Sequence, residues 1–361
     1  MFRTAITSLT RQATKPQQIH RASTSIAAMA LPKTQKAILQ PDPQSTAVTM
    51  VTDHPVPTPK PSSNEHLVRV HTAAITNGEL LWTKNFPFPK DPTVDPKILV
   101  PCNDVAGTIV TAPPSSPFEP GTEVYARSSY KRTGCSREYT ILMTDEMAKR
   151  PQRLSWVESA VVPMSAETAW QALFIHAGLE AKAGKGAEGK RVFVTAASGG
   201  VGVWMVQLAK WAGAEVVGSC SAENVEWVEW LGADEVIDYT KTDIKQWAAE
   251  SRNKVDLAVD CIGRKSLEDV WWAVKDGGTL ISIFQPPEGV KPTGVEKNIK
   301  DLFFIMDSSG EQLRKMTELI ETGFGTPALD STFPVDRFQE AFNRLESGKT
   351  RGKVVLDFGS K

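Results

Sequence analysis

Three small residues, Ala197, Gly199 and Gly202, stand at the spacing of Gly-x-Gly-x-x-Gly in the run Arg191-Val-Phe-Val-Thr-Ala-Ala-Ser-Gly-Gly-Val-Gly202. A turn of small residues lets backbone approach a pyrophosphate. The helix that follows offers unpaired N–H groups and the positive end of its dipole. Alanine takes the first glycine place, and a glycine turn between strand and helix also occurs for packing alone, so context must decide. A β-branched and aromatic run (191–195) precedes the turn, and an apolar-periodic helix from residue 201 to about 212 follows it. Ala197, Ser198, Gly199, Gly200, Val201 and Gly202 are therefore candidate contacts for a dinucleotide.

The elements around this turn agree with that chemistry. Further strands are expected at 214–218, 235–238, 255–260 and 278–284, with a helix at 223–231. Strands and helices alternating in this way read as an α/β fold with a doubly wound parallel sheet of Rossmann type. Ligands of such sheets sit at the carboxyl edge of the strands.

Residues 1–41 hold no Asp or Glu but include Arg3, Arg11, Lys15, Arg21, Lys33 and Lys36 among many Ser, Thr, Ala and Gln. That is the composition of a mitochondrial presequence. The other reading is a translated upstream extension with Met29 as the working start, which would leave the protein cytoplasmic. No apolar run approaches the length of a membrane span. The chain is long enough for two domains. Its net charge of −1 and the absence of a basic cluster in the body argue against nucleic acid as a partner and leave a small molecule. Cys102, Cys135, Cys220 and Cys261 stand far apart without a Cys-x-x-Cys, which supports neither a disulfide scaffold nor a structural zinc site.

From residue 35 to 142 the texture is short strands separated by Pro-, Ser- and Gly-rich loops, a β-rich region. The motifs Ala73-Ala-Ile-Thr-Asn77, Pro101-Cys-Asn-Asp-Val-Ala-Gly107, Gly121-Thr-Glu-Val-Tyr125, Ala160-Val-Val-Pro-Met164 and Thr168-Ala-Trp170 lie along it and just beyond it. With the glycine turn, Gly232-Ala-Asp-Glu-Val-Ile-Asp-Tyr239 and the C-terminal Ser347-Gly-Lys-Thr-Arg-Gly-Lys-Val-Val355, they cover about residues 34 to 358. In these motifs the chain resembles the medium-chain dehydrogenase/reductase superfamily, in its zinc-independent quinone oxidoreductase-like and enoyl reductase branch. The resemblance implies a GroES-like β-rich catalytic domain over 33–160, completed by 308–361, and a Rossmann NADP-binding domain over 161–307. Relatives often dimerise through edge strands of the cofactor domain. The run 278–284 could serve as such an edge, although burial within one subunit is the simpler account.

Zinc-dependent relatives carry Gly-His-Glu where this chain has Cys102-Asn103-Asp104, and their first cysteine ligand falls near Asn77. Imidazole and thiolate are the donors zinc prefers, so no metal is expected. Without a Lewis acid, reduction of a quinone or an α,β-unsaturated carbonyl is favoured over alcohol oxidation.

NAD enzymes place an acid at the end of the second strand to bond the ribose 2′-OH. Here the sequence is Gly218-Ser-Cys-Ser221, which would not repel a 2′-phosphate, and Ser219 and Ser221 could donate to one. NADPH is the expected cofactor, although relatives carry a lysine where this chain has Asn224. The resemblance adds Tyr239 near the adenosine end. It also places Asn77, Thr168, the backbone around Ile283 and Phe284, and Lys353 at the nicotinamide end. The plainer readings make Thr168 a helix N-cap and Lys353 a surface lysine on an edge strand.

Mitochondrial enoyl thioester reductases of this superfamily carry a tyrosine in the loop beyond the Asn77 position, where this chain reads Leu81-Trp-Thr-Lys-Asn-Phe-Pro-Phe-Pro89 without one. The absence of a placed acid suits quinones, whose hydride adduct takes protons from water. Tyr130 is the remaining candidate, and Trp82, Phe86 and Phe88 could wall a flat ring. The expectation is an NADPH-dependent, zinc-independent reductase of quinones or activated C=C bonds. The alternatives are a trans-acting enoyl reductase of a secondary-metabolite pathway and a non-catalytic NADPH-binding scaffold.

Overall fold

The computed structural model describes residues 31–85 and 99–359. The expected leader up to residue 30, together with Phe86 and Phe88, lies outside the described residues. After it comes a hairpin of β1 (Thr34–Leu39) and β2 (Thr49–Pro55), then β3 (Glu65–Ile75) and the short helix α1 (Glu79–Asn85). Strands β4 (Asp104–Thr111), β5 (Glu123–Arg127), β6 (Tyr139–Met143) and β7 (Met147–Lys149) follow, and then helices α2 (Trp156–Ala160) and α3 (Pro163–Trp170).

The second half opens with β8 (Arg191–Val194), α4 (Gly200–Trp211), β9 (Glu215–Cys220), α5 (Val225–Trp230) and β10 (Glu235–Asp238). It continues through β11 (Val255–Asp260), β12 (Val274–Ser282) and β13 (Lys300–Phe303). Among the described residues these six strands form one sheet in the order β10-β9-β8-β11-β12-β13, every pair parallel. Alternate side chains of a strand point to opposite faces. In β8, Val192 and Val194 join the larger hydrophobic core while Phe193 enters a second core on the other face. In β9, Val216 and Val217 divide in the same way. Both faces are covered, which is why these strands read as unbroken apolar runs. This is the expected doubly wound sheet.

The chain then returns to the β-rich half with β14 (Leu329–Pro334) and β15 (Lys353–Asp357). The second sheet runs β14-β15-β3-β4-β5-β7, with β6 also paired to β3. Here β15 is antiparallel to β3, with Val354 opposite Ile75, so the last strand of the protein lies beside the one that leads to Asn77.

Some boundaries differ from the sequence reading. A further parallel strand, Lys300–Phe303, pairs register-for-register with 279–282 of β12. That pairing also leaves β12 internal, between β11 and β13, so 278–284 is no free edge. β9 extends to Cys220 because Ile237 and Asp238 of β10 pair with Ser219 and Cys220. No helix among the described residues is long and apolar enough to cross a membrane.

Candidate active site

The glycine turn joins β8 to α4. Ala196 adopts φ +48°, a left-handed conformation uncommon outside glycine, and its carbonyl accepts from the Gly199 amide at 2.8 Å. Gly199 is the N-cap of α4 and supplies no side-chain oxygen, which leaves the N–H groups of the first turn without a side-chain cap. A Cβ on Gly202 would lie 2.1 Å from the Ala196 carbonyl oxygen, and one on Gly218 would lie 2.9 Å from the Ala197 Cβ. The turn is closed to anything bulkier than what it has, and its uncapped helix start suits a pyrophosphate.

The C-terminal segment is fastened to this turn. The Gly352 amide donates to the Ser198 carbonyl at 3.1 Å, and the stem of Lys353 lies where a Cβ on Gly200 would meet it at 3.0 Å. From there the Lys353 ammonium reaches the Asp104 carboxylate at 2.6 Å and donates to the Thr76 hydroxyl at 2.8 Å. Asp104 is wholly buried, and its other oxygen accepts from the Met164 amide at 2.8 Å, at the start of α3. Lys353 is only 5% exposed and sits on a strand flanked by β14 and β3. It is therefore neither a surface lysine nor on an edge strand. A buried ion pair of this kind survives because both charges also find hydrogen bonds.

Asn77 lies exposed in the turn just past β3, between Thr76 and the buried Glu79. Thr168 is no N-cap: it sits within α3, buried, and its hydroxyl donates to the Met164 carbonyl at 2.6 Å. Its oxygen can still accept a hydrogen bond. Glu79 opens α1, is 6% exposed, and accepts from the Cys102 amide at 3.2 Å through one oxygen. Its other oxygen, Oε1, is buried without a hydrogen-bond partner. Burial pushes its carboxyl up to about 8, against the opposing pull of the Lys353 ammonium. The sequence reading missed Glu79, and only its place two residues after Asn77 could have drawn notice.

Of the residues expected at the adenosine end, Ser219 is buried within β9 and its carbonyl accepts from the Ala197 amide at 2.9 Å. The Ser221 hydroxyl accepts from the Asn224 side chain at 3.0 Å. Tyr239 is 57% exposed and its amide donates to the Cys220 carbonyl, which brings it beside the end of β9. Lys241 is paired with Asp238 at 2.9 Å. A second residue given no role by the sequence reading, Arg351, lies with its guanidinium 5.0 Å from the centre of the Trp227 ring in the first turn of α5. Ile283 is half-buried beyond β12, its amide on the Asp260 carbonyl at 3.1 Å, and the following Phe284 ring covers Gly263. Ala197, Ser219, Ser221, Tyr239 and Ile283 thus share the carboxyl edge of the parallel sheet.

Trp82 meets Tyr130 edge-to-face at 6.5 Å, and the Arg127 guanidinium lies 5.7 Å from the Tyr130 ring. Tyr130 is thus part of an aromatic and cationic packing group.

The donors where zinc relatives hold their metal are engaged otherwise. Burial pushes the Cys102 thiol well up, so it is neutral. The Asn103 amide donates to the carbonyl and hydroxyl of Ser128 at 3.0 and 3.1 Å, and Asp104 is held by Lys353 and Met164. Zinc needs thiolate, imidazole or free carboxylate, and this set does not fit it. Among the described residues no three His, Cys, Asp or Glu side chains gather as a metal cluster.

Residues 231–356 match the family described as zinc-binding dehydrogenase. The chain is 48% identical over 330 residues to a probable zinc-binding oxidoreductase, mitochondrial, of Arthroderma benhamiae, covering 90% of this chain and 97% of that one. It is 31% identical to the chloroplast envelope quinone oxidoreductase homolog of Arabidopsis thaliana, over 84% of this chain and 92% of the relative. A solved NAD-dependent alcohol dehydrogenase superposes with a TM-score of 0.75 at 25% identity, over 90% of this chain and 100% of that one. With the doubly wound sheet, the glycine turn and the β-rich region in place, the chain belongs to the medium-chain dehydrogenase/reductase superfamily, in its quinone oxidoreductase-like branch.

Proposed function

We propose that this oxidoreductase uses NADPH, works without zinc, and reduces quinones or α,β-unsaturated carbonyl compounds. The observation that carries the reading is Lys353: a buried ammonium fixed by Asp104 and Thr76 stands beside the glycine turn, and those two partners adjoin in sequence Asn103 and Asn77, the positions matched to metal ligands of zinc relatives. A fixed cation with one N–H left can bond an acceptor oxygen as negative charge develops on it. In this reading residues 161–307 hold the cofactor, while 33–160 and 308–361 hold the acceptor.

The uncapped start of α4 and the Ala197–Gly202 turn fit a pyrophosphate. When bound, the reduced nicotinamide supplies a hydride. Asn77 and Thr168 orient the carboxamide or the acceptor carbonyl, Thr168 as an acceptor because its own proton is held by Met164. The absence of an acid among residues 218–221 and the nearness of Arg351 to α5 favour a 2′-phosphate. A mitochondrial location is supported by the acid-free N-terminus and by the name of the Arthroderma relative.

The test is reduced-cofactor oxidation with a naphthoquinone and a simple enone, NADPH and NADH side by side. Turnover favouring NADPH is expected. Turnover of neither acceptor, or of an aldehyde alone, would contradict it.

A further inference from the structure

We propose that Glu79 is the proton source of this active site. The inference rests on the reductase reading above. A hydride adds one hydrogen with two electrons to the acceptor, and the product needs a second hydrogen as a proton. No tyrosine stands ready to give it. Tyr125 is buried with its hydroxyl between the Leu313 carbonyl and the Thr317 hydroxyl, and Tyr139 lies in β6. Tyr239 is at the adenosine end, and Tyr130 packs on Trp82.

Glu79 has what a proton source requires. It is more than nine-tenths buried, one oxygen is fixed by the Cys102 amide, and Oε1 has no partner, as suits a carboxyl whose proton is available to a ligand. It lies two residues past Asn77, and its backbone amide donates to the carbonyl of Thr76, whose hydroxyl holds Lys353. The groups that face it are Lys353 from β15, Asp104 from β4 and the Cys102 thiol, itself next to Cys135. Burial and Asp104 favour the protonated carboxyl, and Lys353 opposes them, so the group rests near about 8 and changes charge close to physiological pH.

In the step, the O–H bond of the Glu79 carboxyl breaks. A new O–H bond forms on a quinol oxygen, or a C–H or O–H bond on an enolate. The carboxylate left behind is stabilised by the Lys353 ammonium and regains its proton from water before the next turnover. A cation beside the acid is what allows a buried carboxyl to release its proton.

The test uses the full chain and its Glu79→Gln and Glu79→Asp variants. Infrared titration of the cofactor-free protein should show, in the wild-type minus E79Q difference spectrum that cancels the buried Glu167 carboxyl, a protonated carboxyl C=O band at pH 7 that fades as pH rises through about 8. The wild-type kcat should fall over the same pH range. E79Q should lose on the order of 10²-fold in kcat with a flat profile there, at unchanged NADPH affinity, and E79D should recover part of the loss. An absent band, or an E79Q enzyme that keeps the wild-type profile, overturns the role of Glu79 alone. Wild-type protein that oxidises no reduced nicotinamide with any acceptor overturns the role together with the reductase reading.

Discussion

The Lys353 ammonium and the Asp104 carboxylate, 249 positions apart in the chain, meet at 2.6 Å in a site from which water is nearly excluded. The contact exists because β15 pairs with β3 while β4 pairs with the other side of β3, with Ala74 opposite both Val355 and Asp104. Removing one partner strands the other charge. Lys353→Met is expected to cost about 3–5 kcal/mol of stability, and the Lys353→Met/Asp104→Asn double variant clearly less than the sum of the singles. Urea unfolding of the four proteins measures this cycle, and additive losses would mean that the pair is not coupled.

Gly202 should not tolerate even a methyl group. Its Cβ would sit 2.1 Å from a backbone oxygen, so Gly202→Ala is expected to cost about 1–3 kcal/mol and to weaken NADPH binding at least tenfold. Gly289→Ala, which meets nothing within 4 Å at an ordinary φ, is the control and should be neutral. Tryptophan fluorescence on NADPH titration, with thermal melting alongside, reads both effects.

Cofactor choice is expected to turn on Arg351. Arg351→Gln should raise the NADPH dissociation constant roughly tenfold while NADH changes little, the loss of one charge-assisted contact. An equal effect on both cofactors would assign Arg351 to the pyrophosphate instead.

Stability should also depend on pH in a way that identifies its carriers. Burial raises the Glu79 carboxyl from its ordinary 4.5 to about 8, so its folded state holds a proton that the unfolded chain has released. Its contribution is complete below about 4.5 and is lost as pH climbs through 8. His54, His66, His71 and His176 are all shifted down, chiefly by burial, so their contribution is present above the ordinary 6.5 and is lost as pH falls below it. Melting temperature should therefore drop on both sides of neutrality. Glu79→Gln should reduce the alkaline loss and leave the acid one, the share carried by Glu167, whose carboxyl burial also pushes well up, remaining; an undiminished alkaline loss would contradict this.

The parallel sheet was legible because both its faces are buried, which leaves long apolar runs such as 255–260, while β2 was not. Its residues Thr49–Pro55 alternate little and are mostly exposed, the mark of a peripheral hairpin strand. β7 is three residues long, and β14 carries Asp330, Ser331 and Pro334, so neither resembles a strand in isolation. In the site the glycine turn was readable because its chemistry is local. Glu79 and Arg351 were not, since a lone acid and a lone base acquire meaning only from neighbours brought by the fold. For Glu79 these are Cys102, 23 residues on, and Lys353 on the final strand; for Arg351 the neighbour is Trp227 on α5. The plainer reading of Lys353, a surface lysine on an edge strand, fails for the same reason, because the pairing that buries it is non-local.

The most direct single measurement is the initial rate of naphthoquinone-dependent NADPH oxidation by dialysed protein, with and without a strong chelator and with zinc added back. If a fixed lysine and not a metal supplies the positive charge, the rate is the same in all three conditions and falls only in Lys353→Met. A rate abolished by the chelator and restored by zinc would contradict it.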